Sequence, residues 1–320
     1  AVFLWAAVRD VDGAAVLAAL QRARLHWIPL FVASLAGFCW LKSARWALLL
    51  RAAGDIKTRQ LLSPVIIGYM GTGLMPMQLG EVARAYLAAS QLQIRMAAVF
   101  ASLVLERVFD IFMLVLIIGL AALLGTEFPA EVRAIGVFFI VLGIGTLAVL
   151  WLYAVRTELC LDLLAKLTAW LPQGLRQKLL EHARAGAQGL DSLRNPRRCI
   201  GVIVLSGAQW ACMCACVWIS LAAIGLSLPA VAALVVLATT IISMTLPAGP
   251  GYVGTLQLAY ALALAPFAVE RSDALAASVF YLVMLWVPLV ALGLVLLHRT
   301  GFGMRELAGA ANKPLTDKAL

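Results

Sequence analysis

Of the 320 residues, 63% are hydrophobic and 13% charged, with a mean hydropathy of +0.97, more apolar surface than a water-soluble core can bury. The net charge of +9 does not point to nucleic acid, because the basic residues are scattered at the ends of apolar runs and form no groove with aromatics. Positive-inside bias and contact with anionic head groups account for it, and the predicted class is an all-α integral membrane protein, one polytopic domain over residues 1–320.

The chain opens on AVFLWAAV followed by Arg9, Asp10 and Asp12, which reads as the tail of a truncated first transmembrane helix and not as a signal peptide. Apolar runs at 27–50, 97–124, 134–155, 200–224 and 275–297 reach the ~20 residues that a bilayer core of ~30 Å demands. Together with the opening stub they predict about six transmembrane helices. Two further stretches, 61–75 with 79–89 and 231–246 with 252–265, are broken by proline and glycine, and each half is too short to cross alone. Cys212, Cys214 and Cys216 fall two apart inside an apolar run, on different helix faces, so they read as small packing residues. No metal and no cofactor is predicted.

Loop charge sets the orientation. The segment 156–198 holds Arg156, Lys166, Arg176, Lys178, Arg184, Arg194, Arg197 and Arg198 against Glu158, Asp162, Glu181 and Asp191, which places it in the cytoplasm. Its leucines recur at helical spacing, either as amphipathic helices on the inner leaflet or as a solvated connector. Segments 125–133 and 225–229 carry almost no basic charge and face outward, while the tail, with Arg299, Arg305, Lys313 and Lys318, faces inward. These sides are consistent only if the two broken stretches are re-entrant hairpins, one from each side of the membrane. The predicted organisation is a first repeat over 27–155, a connector over 156–199, a second repeat over 200–298 and a tail over 299–320.

The breaks resemble one another. MPMQLGEV and LPAGPGYV both place glycine four residues after proline, at Pro76/Gly80 and Pro247/Gly251, and a matching break in opposite topology is the pattern of inverted-repeat transporters. In GPGYVG, residues Gly249, Pro250, Gly251 and Gly254 point to a bend or a close backbone approach, since no βαβ unit surrounds them.

Ionisable residues at membrane depth are costly, so each needs a partner or a wet cavity. Lys42 and Arg45 lie toward the inner end of the run 27–50, where snorkelling to the cytoplasmic interface accounts for them. Glu81 and Arg84 are three apart just after the first break, where Glu81 serves either as a helix N-terminal anion or as the lining of a cavity. In LERVFD, Glu106 and Asp110 share a face and need an arginine between them; Arg84 or Arg107 fills that role, in an internal ion-pair network or in a site for a phosphate head group. There is no GxxxxGK[ST], HExxH or GxSxG string, and His26, His182 and His298 fall outside the predicted spans, so no catalytic residues are predicted.

PMQLGEVARAYL, LERVFD and LPAGPGYVGTLQ, in this order and with these spacings, resemble the flippase-like transmembrane domain of bacterial lysylphosphatidylglycerol synthases and its stand-alone relatives. The resemblance covers nearly the whole chain and carries over to Pro76, Gly80, Glu81, Arg84, Glu106, Arg107, Asp110, Pro247, Gly251 and Gly254. The chain departs from that pattern at Gln78, often Arg in the family, at Thr72, near which the family has Asn, and at Gln257, which replaces a later Glu. The resemblance implies a substrate-binding set of Gln78, Glu81, Arg84, Glu106, Arg107, Asp110 and Gln257. It implies a non-enzymatic lipid translocase of the bacterial inner membrane, with a cytoplasmic C-terminus. Its substrate is a phosphate-bearing phospholipid or lipid-linked molecule, aminoacylated or polyisoprenoid-linked, and anionic head groups meet its cytoplasmic face. A second copy of the chain or a partner enzyme is left open. The aminoacyl-transferase domain is not in this sequence, so lysyl-lipid synthesis is not predicted. A membrane-embedded lipid-modifying transferase, with Glu106 or Asp110 as base, and an accessory scaffold subunit are the alternatives.

Overall fold

The computed structural model describes residues 13–75, 79–124, 156–169, 195–244 and 250–300, together with 137, 140–141, 143–145, 148–149, 152, 173–177 and 180. Among them the regular structure is entirely helical: α1 Gly13–Gln21, α2 Ile28–Leu49, α3 Thr58–Leu74, α4 Leu79–Leu92, α5 Met96–Leu124, α6 Thr157–Leu167, α7 Pro196–Ile224, α8 Ala230–Ser243, α9 Thr255–Leu264 and α10 Arg271–Thr300, with short 3-10 turns between some of them.

Local chemistry sets the ends of these helices. The Asn195 side chain accepts the Arg197 amide at 3.0 Å and Pro196 sits in the first turn, so α7 begins there; it stops where Gly225 takes φ 92°. At the start of α9 the Gly254 amide donates to Gln257 Oε1 at 2.6 Å, the returning half of a capping box.

Among the described residues four stretches are long and apolar enough to cross a membrane: Leu25–Leu49, Ala98–Leu124, Pro196–Ile224 and Arg271–Thr300. The protein is thus an all-α, multi-pass membrane protein. The opening stub and the tail after 300 lie outside the described residues, and the predicted span 134–155 is described only at scattered positions. By contrast α3, α4, α8 and α9 have 17, 14, 14 and 10 residues, below the spanning length, as the two broken stretches predict.

The first broken pair folds back on itself. A Cβ on Gly80 would collide with the Gly68 carbonyl and the Thr72 amide, one on Gly71 would stand 2.9 Å from the Gly80 Cα, and one on Gly68 would stand 2.8 Å from the Arg84 Cβ. These pairs are centred on the Pro76 break, so α3 and α4 are antiparallel arms in backbone contact. Pro76 itself, with Gln78, lies outside the described residues, as do Pro247 and Gly249 of the second break. Around that second break Gly251 takes φ 65° and Gly254 φ 96°, backbone that glycine adopts readily. Pro250 opens the 3-10 turn Pro250–Tyr252 between α8 and α9, which pack on each other as α3 and α4 do.

The halves meet through antiparallel partners. Phe31 faces Cys216, Gly37 faces Cys212, Arg45 bonds Ser206 and Leu48 lies against Gly201, so numbers rise along α2 as they fall along α7. Likewise Gly73 lies against Trp286 and Met70 against Gly293, which makes α3 and α10 antiparallel. The contacts also exchange between the halves: α3 packs on α10 as α8 packs on α5. Trp286 joins the two breaks, donating its indole N–H to the Gly251 carbonyl at 3.0 Å while its ring lies against Gly73.

Candidate functional site

Three helices of the first half each turn a short polar stripe inward. α2 supplies Lys42 with Arg45 and Trp46 three and four residues on, α4 supplies Glu81 and Arg84 three apart, and α5 supplies Ser102, Glu106 and Asp110 four apart, spacings that keep each set toward one side. Gly68 makes the meeting possible, because any side chain there would displace the Arg84 stem.

Glu106 sits at the centre. Lys42 Nζ lies 2.5 Å from its Oε1, Arg84 Nη2 donates to its Oε2 at 3.1 Å, and Arg45 Nη2 stands 3.4 Å from its Oε1. Arg45 Nη1 bonds Asp110 at 2.8 Å and the Ser206 hydroxyl of α7 at 3.1 Å, tying the cluster to the second half. Glu81 closes the other side, pairing with Arg84 at 3.1 Å and with Arg107 at 2.7 Å, and Arg107 reaches Asp110 at 4.0 Å. The Arg84 guanidinium lies 4.5 Å over the Trp46 ring, whose N–H donates to Ser102 Oγ at 2.9 Å. A desolvated cation on such a face gains ~2 kcal/mol.

Charge and exposure vary across the cluster. Lys42, Arg45 and Arg84 and the central Glu106 are buried, whereas the Asp110, Glu81 and Arg107 side chains are 14%, 26% and 52% exposed. Four cations face three carboxylates, an excess of one positive charge. Arg45 Nε and Arg84 Nε have no hydrogen-bond partner although they are buried, and Arg45 Nη2 makes no hydrogen bond beside its 3.4 Å ion pair with Glu106. Unfilled guanidinium donors away from water are costly, and an added anion would satisfy them.

Of the residues expected to bind substrate, Glu81, Arg84, Glu106, Arg107 and Asp110 are brought together here. Gln257 instead spends its Oε1 on the Gly254 amide, and Gln78 lies outside the described residues. The snorkelling expectation for Lys42 and Arg45 is overturned: they are 3% and 0% exposed and point into the protein, because Glu106 and Asp110 offer anions that the interface would have to replace with water. The sequence held a signal for this, since Lys42/Arg45 and Glu106/Asp110 are complementary pairs of nearly equal spacing on two runs of spanning length.

Fold and site together define a multi-pass helical membrane protein with an ion-pair cluster enclosed among its spans. The sequence matches the lysylphosphatidylglycerol synthase TM region over residues 1–293, and the chain belongs to that flippase-like family. No curated protein and no solved structure matches it.

Proposed function

We propose that this protein moves an anionic, phosphate-bearing lipid between the leaflets of a bacterial inner membrane, with the head group carried by the ion cluster and the acyl chains left in the bilayer. The observation that carries the reading is the excess of cationic donors: four cations against three carboxylates, with buried N–H groups of Arg45 and Arg84 unfilled. An isolated phosphate cannot enter hydrocarbon unaided. Here Arg84 and Arg45 supply charge-assisted bonds as Glu106 gives way, and Arg107, the most exposed cation of the cluster, makes first contact. With no ATP loop in these residues, movement runs down a gradient or is coupled to an ion.

An inverted repeat supports the reading. The breaks at Pro76 and Pro247 are 171 positions apart (247 − 76), and that single spacing brings α2, α3, α4 and α5 close to α7, α8, α9 and α10 in turn. Corresponding first helices α2 and α7 are antiparallel. Such repeats place their sites at broken helices near the midplane. In this reading both hairpins are re-entrant, and two further spans, at the start and at 134–155, complete six. The connector and the C-terminus are cytoplasmic; α6 lies on the inner leaflet with its exposed Leu159 and Leu163 dipped into the head-group and acyl boundary. A cysteine placed at Gln177 should resist membrane-impermeant labelling from outside the cell, and strong labelling would overturn the orientation.

The deciding experiment is translocation of a fluorescent phosphatidylglycerol in reconstituted vesicles. Arg84→Ala should lower the rate at least about tenfold while the protein still inserts and elutes as a folded species. Unchanged rates for both Arg84→Ala and Glu81→Gln would sink the reading in favour of a scaffold. Recovery of a chemically altered lipid would favour a transferase.

A further inference from the structure

One helical turn beyond the ion cluster its walls change from polar to apolar. Along α5 the face that carries Glu106 and Asp110 continues as Met113, Ile117 and Leu120, and along α7 Ser206 is followed by Trp210 and Cys214. With α8 they line an open-sided cavity of about 560 Å³ whose lining is almost wholly carbon. Its size falls within the ~300–1,000 Å³ typical of ligand pockets. Gly207, Ala211 and Ala215 recur every four residues along its α7 wall and keep it open, and nothing lies within 4 Å of a Cβ built at Gly207.

We infer that this cavity is an acyl-chain site: it holds one chain of the lipid whose head group enters the ion cluster. The inference rests on the lipid reading above and adds where the tail goes. Two observations favour a lipid tail over a protein partner. The cavity lies between α5 and α7, both long and apolar enough to cross a membrane. It is also continuous with the cluster, since Asp110 and Met113 are one turn apart, about 4.5 Å along the axis, and Ser206, bonded to Arg45, adjoins Gly207. From Gly207 to Trp218 the α7 wall runs about 16 Å, the reach of a tail within one leaflet and not of a whole bilayer. Because lipid tails are as apolar as leucine, the cavity adds little affinity. It fixes the direction in which the lipid lies, so its loss shows in the rate of transfer.

The test uses the full chain in phosphatidylcholine vesicles doped with a two-chain fluorescent phosphatidylglycerol. Gly207→Phe and Ala211→Phe fill the cavity; Val204→Phe, on an exposed face of the same helix, is the control. The filled variants should lose transfer by about tenfold while the control stays within about twofold. Phosphatidylglycerol brominated on its chains should quench tryptophan fluorescence in the unmodified protein, and the quenching should fall in Gly207→Phe and in Trp210→Phe/Trp218→Phe. Full transfer and full quenching in the filled variants would overturn the inference, as would disulfide linkage of two copies in a variant that keeps Cys214 alone. Loss of transfer in Arg84→Ala with none in Gly207→Phe rejects the tail site and leaves the lipid reading standing. Full transfer in both rejects the lipid reading itself, and the tail site with it.

Discussion

Gly80 and Gly251 each follow a proline by four residues, yet the two hairpins need glycine there for different reasons. Gly80 has ordinary helical backbone and is needed for space, since the Gly68 carbonyl and Thr72 occupy the volume a methyl group would take. Gly251 has ordinary room, its nearest neighbours beginning at 3.4 Å, but holds φ 65°, which L side chains rarely adopt. Their surroundings differ as sharply. In the first half α2, α4 and α5 converge on Lys42, Arg84 and Glu106, whereas α7, α9 and α10 converge on Ser220, Tyr260 and Tyr281. There a neutral bond of 3.1 Å joins Ser220 Oγ to the Tyr260 hydroxyl, and the two tyrosine rings pack 5.8 Å apart. If the halves are the inverted repeat proposed above, one arrangement of helices carries charge in one half and plain packing in the other. The chemistry belongs to the side chains, and the fold only aims them.

The largest test of that contrast is Glu106→Ala. It leaves the buried Lys42 without a carboxylate and takes one of two carboxylate partners from Arg45 and from Arg84, so unfolding followed by heating in detergent should show a loss of about 3–5 kcal/mol. A mild effect would mean that the charged cluster is no more structural than its neutral counterpart. Next come the glycines: Gly80→Ala should cost about 1–3 kcal/mol through overpacking and spread α3 from α4, which a distance label across the hairpin reads. Gly251→Ala should cost about 1–2 kcal/mol through backbone strain and leave that spacing alone, so equal spreading in both variants would erase the distinction. The smallest effect is expected for Tyr260→Phe, about 1 kcal/mol for one neutral hydrogen bond, with lipid transfer unchanged.

Much of this was legible in the sequence, and the reasons for the rest are physical. Spans and breaks showed because length and proline are local signals, and Glu81, Arg84, Glu106, Arg107 and Asp110 stood out because charge in hydrocarbon is rare. Which side of α2 meets the protein did not show: a helix that is apolar all round has no stripe to mark its buried face, so Lys42 and Arg45 pointed as readily to the interface as to Glu106. For Gln257 the spacing from Gly254 spells out a local role, its side-chain oxygen accepting the amide three residues back.

With a head group carried as proposed, the position of Glu106 would make the protein its own competitive inhibitor. A carboxylate tethered within 2.5 to 3.4 Å of three cations contests their donors with every incoming anion, at an effective concentration of roughly millimolar or above. Anions that merely match a carboxylate gain nothing by displacing it. One that brings more oxygens wins by a narrow margin and, once Glu106 returns, is expelled from the side to which it has moved. Loose holding and quick release are what turnover requires of a carrier, and a tighter arginine pocket without that tethered rival would bind its cargo better and deliver it more slowly.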